Sequence, residues 1–207
     1  MSVSVKICGI RTRADLDAAA DAGADWVGYV FFPASPRAVT PAEAAALDAY
    51  RRGPARVGLF VEPDDEEVAR ALDTVSLDAI QVHASLVRAA ALRIRFGVPV
   101  WHVTGIKEAG DLPAAAVGVD RILLDAKPRP GATRPGGNAV PFDWAILQGW
   151  APPLPWLLAG GLNPDNVAAA IRTSGAQAVD VSSGVERTCS VKDAGLVRAF
   201  VNAARSA

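Results

Sequence analysis

The chain has 207 residues, 51% of them hydrophobic, and its 21 basic and 22 acidic residues give a formal net charge of −1. This length suits one well-buried domain, and the balanced, scattered charges lack the electrostatic pattern of a protein that binds nucleic acid or a membrane surface. We find no apolar run of the roughly 18 residues that a membrane helix needs and no apolar signal segment at the N-terminus, so we expect a cytoplasmic protein acting on a small molecule.

Short β-rich runs alternate with Ala-rich amphipathic segments along the whole chain. In chain order the pairs are "SVKIC" and "RADLDAAADA", "WVGYVFF" and "PAEAAALDAYRR", "ARVGLFV" and "DDEEVARALD", "DAIQVH" and "LVRAAALRIRF", "VPVWHVTGI" and a weaker "AGDLPAAAV" (109–117), "DRILLDA" and "FDWAILQGW", "WLLAGG" and "PDNVAAAIRTS", and "AQAVDVSS" and "VKDAGLVRAFVNAA". Eight strand-helix units, with apolar runs typical of parallel strands, predict an α/β fold: a single-domain (β/α)8 TIM barrel over residues 1–207, rather than a doubly wound sheet.

One connection is much longer than the others. The segment "AKPRPGATRPGGNAVP" at 126–141 is rich in Pro and Gly, has no hydrophobic period and lies between the sixth strand and the next helix. We interpret it as a candidate lid.

Several polar residues lie near the predicted carboxyl ends of strands, which form the active face of such a barrel. Because side chains alternate along a strand, Cys8 and Asp125 both point into the barrel mouth, on non-adjacent strands, where they could act as base and acid. The other polar residues on this inner face are Lys6, Gln81, His83, Asp180 and Ser182. The apolar residues expected to face the helices are Ile7, Leu124, Val179 and Val181.

Two Gly-rich turns follow the last two strands, "LLAGGLNPDNV" and "VDVSSGVE". Exposed backbone N–H groups and a helix N-terminus at such turns attract an anion, so we predict a phosphate site there. The candidate residues are Gly160, Gly161, Ser182, Ser183 and Gly184. In the first turn, Asn163 followed by Pro164 and Asp165 predicts a helix N-cap.

Eight motifs, in this order along the chain, resemble the phosphoribosylanthranilate isomerase family of tryptophan biosynthesis. They are "KICGI", "GADWVGYVFFPASPR", "VGLFV", "IQVH", "LLDAK", "FDW", "LAGGLNPDNV" and "VDVSSGVE". The resemblance implies a barrel that catalyses the Amadori rearrangement of N-(5′-phosphoribosyl)anthranilate to 1-(2-carboxyphenylamino)-1-deoxyribulose 5-phosphate without a metal or cofactor. The expected partner is a phosphorylated small molecule, and we expect a monomer or a homodimer.

The resemblance also implies roles for individual residues. Cys8 is then the general base, Asp125 the general acid, and Arg37 the partner of the anthranilate carboxylate. We interpret His83, on the inner face of the fourth strand, as a residue of the substrate pocket. A thiol base needs help to ionise, because the pKa of a free cysteine is about 8.5. Since the eighth strand of a closed barrel lies beside the first, we hypothesise that Lys6, paired with Asp180, supports ionisation of Cys8.

Other functions stay open at this point. A metal-dependent pentose-phosphate epimerase needs a cluster of His and carboxylate ligands, for which the chain offers only His83 and His102 as histidines. A catalytically silent barrel that binds a phosphorylated metabolite is a second alternative. An isomerase that also accepts a related aminoaldose is a third.

The sequence departs from the family pattern in three loops. Ala84 stands where Gly is usual, Ala139 replaces a Gly before "FDW" with Pro141 close behind, and Cys189 with Ser190 replaces a Pro-Gly pair. The two cysteines could also form a redox-sensitive Cys8–Cys189 bridge if their Cα atoms lay about 4.4 to 6.8 Å apart.

Overall fold

A computed structural model describes residues 2–48, 53–127 and 141–207. Eight parallel strands close into a barrel in which each strand pairs with its sequence neighbours and the eighth pairs with the first. The predicted fold class is confirmed. The strands are β1 (Ser4–Cys8), β2 (Trp26–Val30), β3 (Ala55–Val61), β4 (Ala79–His83), β5 (Val100–Ile106), β6 (Arg121–Ala126), β7 (Trp156–Leu158) and β8 (Ala178–Val181).

The helices around the barrel begin where the sequence supplies caps. Thr12, Thr40 and Asp64 each accept a hydrogen bond from the third residue of the helix that follows, whose acidic side chain bonds back to the cap. The helices are α1 (Arg13–Asp21), α2 (Pro41–Leu47), α3 (Asp65–Thr74), α4 (Leu86–Phe96), α5 (Val167–Ser174) and α6 (Ala194–Arg205). Within the described ranges, no helix is both long and apolar enough to cross a membrane.

The side chains of the strands separate into two packed layers, as the alternation predicts. The outer layer lies against the helices and includes Ile7, Leu124, Val179 and Val181. The interior of the barrel holds a separate apolar cluster that contains Val57, Ala79, Trp101, Val103, Leu123, Leu157, Ala159 and Ala178. The inward and outward residues of β1, β6 and β8 are therefore correctly assigned from the sequence.

Three predicted local features differ from the structure. The segment "FDWAILQGW" forms only a short 3-10 helix, Trp144–Leu147. The segment 109–117 forms only a short 3-10 helix, Ala109–Asp111, because the residue before a proline is driven into extended backbone and Leu112, before Pro113, has ψ 128°. The α5 helix begins at Val167 with Asn166 as its N-cap. Asn163 lies in the turn just before the helix, where its side-chain oxygen accepts from the backbone N–H groups of Asp165 and Asn166 at 2.9 and 3.0 Å, as an N-cap side chain does, so only the predicted start of the helix is wrong.

Two further expectations fall partly outside the described residues. Residues 128–140, which make up most of the candidate lid and include Ala139, lie outside the described residues. The end of the second predicted helix, residues 49–52, lies outside them as well. After the eighth strand the chain forms a 3-10 turn (Ser183–Val185) and a small antiparallel hairpin of β9 (Glu186–Thr188) and β10 (Val191–Lys192). This hairpin lies at the barrel mouth, since it contacts the site described next.

Candidate active site

Cys8 ends β1 at the barrel mouth and is 4% exposed. A glycine on the neighbouring strand makes room for its thiol: a Cβ atom placed on Gly28 would lie 2.8 Å from Cys8 Sγ and 3.0 Å from Lys6 Nζ. The first distance is shorter than real Cβ contacts and the second is tighter than most of them, so the thiol and the ammonium meet in space that glycine leaves free. Gly28 lies inside the motif "GADWVGYVFFPASPR", but no pattern in the sequence predicts its contact with the thiol.

Lys6 lies one layer below Cys8 and is completely buried. Its Nζ donates to Asp180 Oδ1 at 2.9 Å, and the β1–β8 register sets these two residues directly opposite each other. Burial lowers the pKa of Lys6, but attraction to Asp180 and to Cys8 outweighs it and leaves the pKa above its ordinary value. Lys6 is therefore a permanent cation beneath the thiol.

The environment of Cys8 opposes ionisation overall. Burial raises the pKa of the thiol, and Asp180 raises it further, while Lys6 and then Lys192 lower it. The result is a pKa above the ordinary value. Lys6 therefore acts in the expected direction, but it only moderates the effect of burial, and the unliganded site holds Cys8 as a thiol at neutral pH.

Asp125 lies near the end of β6 and is half-buried. Its Oδ1 accepts the backbone N–H of Ala126 at 2.8 Å, and a Cβ atom on Gly160 would lie 3.0 Å from the same oxygen. Burial and the negative charge of Asp180 raise the pKa of Asp125 to about 7, although the Ala126 N–H and Lys6 oppose the rise. A carboxyl group with this pKa keeps a proton at neutral pH for a large part of the time and can act as an acid.

His83 ends β4 on the inner face, and burial, the charge of Lys6 and that of His102 lower its pKa to about 4. It is therefore neutral at pH 7 and can both donate and accept a hydrogen bond. His102 lies on the opposite face of the sheet, where its Nε2 bonds the carbonyl of Ala84 at 2.9 Å. Because the two imidazoles point to different layers, they cannot bind one metal ion together, which counts against the epimerase alternative.

The two Gly-rich turns lie against each other. Gly160 and Gly161 both have positive φ, 86° and 68°, and a Cβ atom on Gly184 would collide with the carbonyl of Leu162. Among the described residues, the backbone N–H groups of Gly160 and Gly161 have no acceptor. Two adjacent, unpaired backbone donors beside Asp125 fit an anion.

The other predicted phosphate residues are close to Cys8. Ser182 follows β8, and its Oγ donates to the carbonyl oxygen of Cys8 at 3.1 Å. Ser183 begins the 3-10 turn that contains Gly184. The structure therefore places the two turns, Cys8 and Asp125 at the same end of the barrel.

Arg37 is 6% exposed and lies over the end of β1, since a Cβ atom on Gly9 would be 2.7 Å from its Cδ. Its Nε and Nη2 donate to the two carboxylate oxygens of Glu186 at 2.7 and 2.8 Å. Lys192 Nζ donates to the same carboxylate at 2.8 Å. Neither Glu186 nor Lys192 was predicted to have a role: Glu186 ends the motif "VDVSSGVE" and Lys192 lies six residues after it, and only the folded hairpin shows what they contact.

Two of the departures from the family pattern lie at the tip of this hairpin. Cys189 is exposed and Cys8 is buried, and both thiols are free. Ser190 has φ 62°, a left-handed conformation that glycine adopts more easily. Its N–H donates to Glu186 Oε2 at 3.0 Å and its hydroxyl accepts from Arg11 at 3.1 Å, so polar contacts hold the strained residue in place.

Comparisons with known proteins agree over almost the whole chain. The family model described as N-(5′-phosphoribosyl)anthranilate isomerase matches residues 5–203. A curated relative of that name from Acidiphilium cryptum is 54% identical over 202 residues, which is 98% of each chain. A structure of monomers of the dimeric enzyme from Thermotoga maritima is 32% identical, with a TM-score of 0.84 over 99% of this chain and 100% of the other. A phosphoribosylanthranilate isomerase solved with reduced 1-(o-carboxyphenylamino)-1-deoxyribulose 5-phosphate has the same TM-score, 30% identity and the same coverage.

Proposed function

Because the chain belongs to the N-(5′-phosphoribosyl)anthranilate isomerase family, we propose that it isomerises N-(5′-phosphoribosyl)anthranilate in tryptophan biosynthesis, with Cys8 as the base and Asp125 as the acid. The product is 1-(2-carboxyphenylamino)-1-deoxyribulose 5-phosphate. The observation that carries the proposal is the pair of Cys8 and Asp125 at one end of the barrel, next to two Gly-rich turns, of which the first has two backbone N–H groups, those of Gly160 and Gly161, with no acceptor among the described residues.

In the proposed reaction Asp125 and Cys8 each transfer one proton, the final tautomerisation moves a proton onto C1′ as the C2′ hydroxyl loses one, and the composition does not change. Asp125 gives its proton to the furanose ring oxygen as the C1′–O bond breaks, which opens the ring to a Schiff base. Cys8 then takes the proton from C2′, and the electron pair of that C–H bond forms the enolamine. The enolamine tautomerises to the ketone. The raised pKa of Asp125 suits the first step, because an acid must hold its proton at the working pH.

The second step needs a thiolate, which the unliganded site disfavours. The competent state, with Asp125 protonated and Cys8 ionised, carries the same number of protons as the more populated state with Asp125 ionised and Cys8 protonated. The fraction of protein in this competent state is small, but it stays constant between the pKa of Asp125 and the pKa of Cys8. Lys6, held by Asp180, increases this fraction because its ammonium stabilises the thiolate.

The remaining predicted residues bind the two ends of the substrate. The turns with Gly160, Gly161, Ser182, Ser183 and Gly184 hold the phosphate through backbone and hydroxyl donors. Arg37 pairs with the anthranilate carboxylate, and neutral His83 offers a hydrogen bond in the pocket.

Kinetics of purified protein test the proposal. We expect the wild type to convert phosphoribosylanthranilate, which is generated from anthranilate and ribose 5-phosphate. The conversion is followed by the decrease in fluorescence of the anthranilate group of the substrate. Failure of the wild type to do so would refute the proposed function. The same assay with related aminoaldose phosphates tests the second substrate, and light scattering tests the expectation of a monomer or a homodimer.

A further inference from the structure

Glu186 lies at the centre of a buried charged cluster that the proposed mechanism does not use. Its carboxylate accepts four hydrogen bonds: two from Arg37, one from Lys192 Nζ and one from the backbone N–H of Ser190. The side chains of Arg37, Glu186 and Lys192 are 8, 4 and 1% exposed. Such burial of three charges is costly unless each is well paired.

The cluster is one negative charge short. Arg37 and Lys192 are cations, and Glu186 is the one anion that bonds them among the described residues. The two cations hold the pKa of Glu186 at about 2 against the opposing effect of burial, so its charge is permanent. A net positive charge of one, buried at the mouth of the site, is complementary to an anionic group of the substrate.

The orientation of Arg37 leaves one edge of its guanidinium available. Glu186 engages Nε and Nη2, the side edge, while Nη1 bonds no described residue. A guanidinium has five N–H donors, so three remain, and two of these, one on Nη1 and one on Nη2, lie on the edge that these two nitrogens form. Glu186 therefore fixes the plane and direction of Arg37 without competing for the edge that would receive a second carboxylate.

Lys192 connects this cluster to the phosphate turn. Its Nζ donates to the carbonyl oxygen of Ser182 at 2.9 Å as well as to Glu186. Ser182 in turn bonds the carbonyl oxygen of Cys8. The hairpin thus joins the guanidinium, the turn after β8 and the end of β1 through direct hydrogen bonds.

We propose that Glu186 and Lys192 are positioning residues: Glu186 presents the free edge of Arg37 to the substrate carboxylate, and Lys192 fixes the distance from that edge to the phosphate turn. The proposal rests on the proposed function, since it concerns the same substrate. Neither residue touches the reacting atoms, and both act through Arg37 and Ser182.

The test compares two substrates that differ only in the carboxylate, phosphoribosylanthranilate and phosphoribosylaniline. For Glu186→Gln we expect KM for the first to rise about tenfold with kcat changed less than threefold, because a charge-assisted contact becomes misaligned. Both constants for the aniline substrate should stay within twofold of the wild type. Glu67→Gln, which keeps the capping box of α3, serves as the matched control and should change neither substrate.

The kinetic results distinguish a failure of the positioning role from a failure of the proposed function. An equal loss on both substrates, or no loss on either, would overturn the positioning role while the wild-type activity still supports the proposed function. If Glu186→Gln does not fold, Glu186→Asp keeps the charge but withdraws the carboxylate, and its loss should again be confined to the substrate with the carboxylate. For Lys192→Met we expect KM to increase for both substrates, because both carry the phosphate. An unchanged KM would contradict the proposed positioning role of Lys192.

Discussion

Replacing Asp125 by asparagine should make the unliganded protein more stable at neutral pH while it removes the proposed acid. Asparagine is close to the protonated carboxyl in size and can still accept the N–H of Ala126. It cannot ionise, so it avoids the charge that burial and Asp180 disfavour at this position. The wild type therefore gives up stability at this position for a group that can donate a proton.

The size of the expected stability gain follows from the pKa shift of Asp125. The pKa of Asp125 rises from about 3.9 in an unfolded chain to about 7 in the folded protein. The folded state binds the proton more tightly, so this stabilisation is complete below pH ~3.9 and is lost as the pH rises through 7. Three pKa units correspond to ~4 kcal/mol above pH 7. Because Asp125 as a residue is only half-buried, we expect roughly half of that.

Urea unfolding at pH 5 and pH 8 measures this effect. Most of the penalty develops between these values, so the stability gain of Asp125→Asn over the wild type should be ~1–2 kcal/mol larger at pH 8. Asp17→Asn, on the exposed surface of α1 where the Arg13 pair is 52% exposed, is the control and should give no pH-dependent gain. A gain of Asp125→Asn that is equal at both pH values would refute the raised pKa and with it the basis for the acid role.

Three further predictions concern the thiol. The kcat/KM of the wild type should rise with pH through about 7, stay level, and fall above the raised pKa of Cys8; a profile that falls through pH 7 would contradict the shared-proton scheme. Gly28→Ala should lower kcat about 100-fold by displacing the thiol, whereas Gly110→Ala, with open space around it, should not, and equal rates would remove the role of Gly28. The third prediction concerns Lys6→Met, made in a Cys189→Ser background so that Cys8 is the one thiol left. It should slow both the labelling of Cys8 by iodoacetamide, about tenfold at pH 8, and turnover. If neither rate changes, Lys6 does not support the thiolate.

The fold and the central pair of the site could be predicted from the sequence because they follow from short-range rules. Alternation along a strand gives the inward direction of Cys8 and Asp125, and barrel closure brings β8 beside β1. The Lys6–Asp180 pair follows from these two facts, and the register Lys6↔Asp180 confirms the placement. The failed helix at 109–117 also had a visible cause, since Pro113 interrupts it.

The rest depends on contacts that no periodicity encodes. Arg37 lies in a loop and Glu186 begins β9, 149 residues further along the chain, so their bond depends on the path of a short hairpin that has no hydrophobic pattern of its own. The pKa of Cys8 is a balance between burial and Asp180, which raise it, and Lys6 and Lys192, which lower it, and only the direction of the Lys6 effect could be predicted from the sequence. Gly28 leaves space for the thiol of Cys8 and the ammonium of Lys6, and this role can be recognised only from the positions of the surrounding atoms.

The most direct test of the account is steady-state turnover of phosphoribosylanthranilate by the wild type, Cys8→Ser and Asp125→Asn at pH 8. We expect each variant to lose about 10²–10⁴-fold in kcat, because each removes one proton carrier. Both should still bind reduced 1-(o-carboxyphenylamino)-1-deoxyribulose 5-phosphate, which shows that the pocket is intact. A wild-type rate in either variant would contradict the assignment of Cys8 and Asp125 as base and acid.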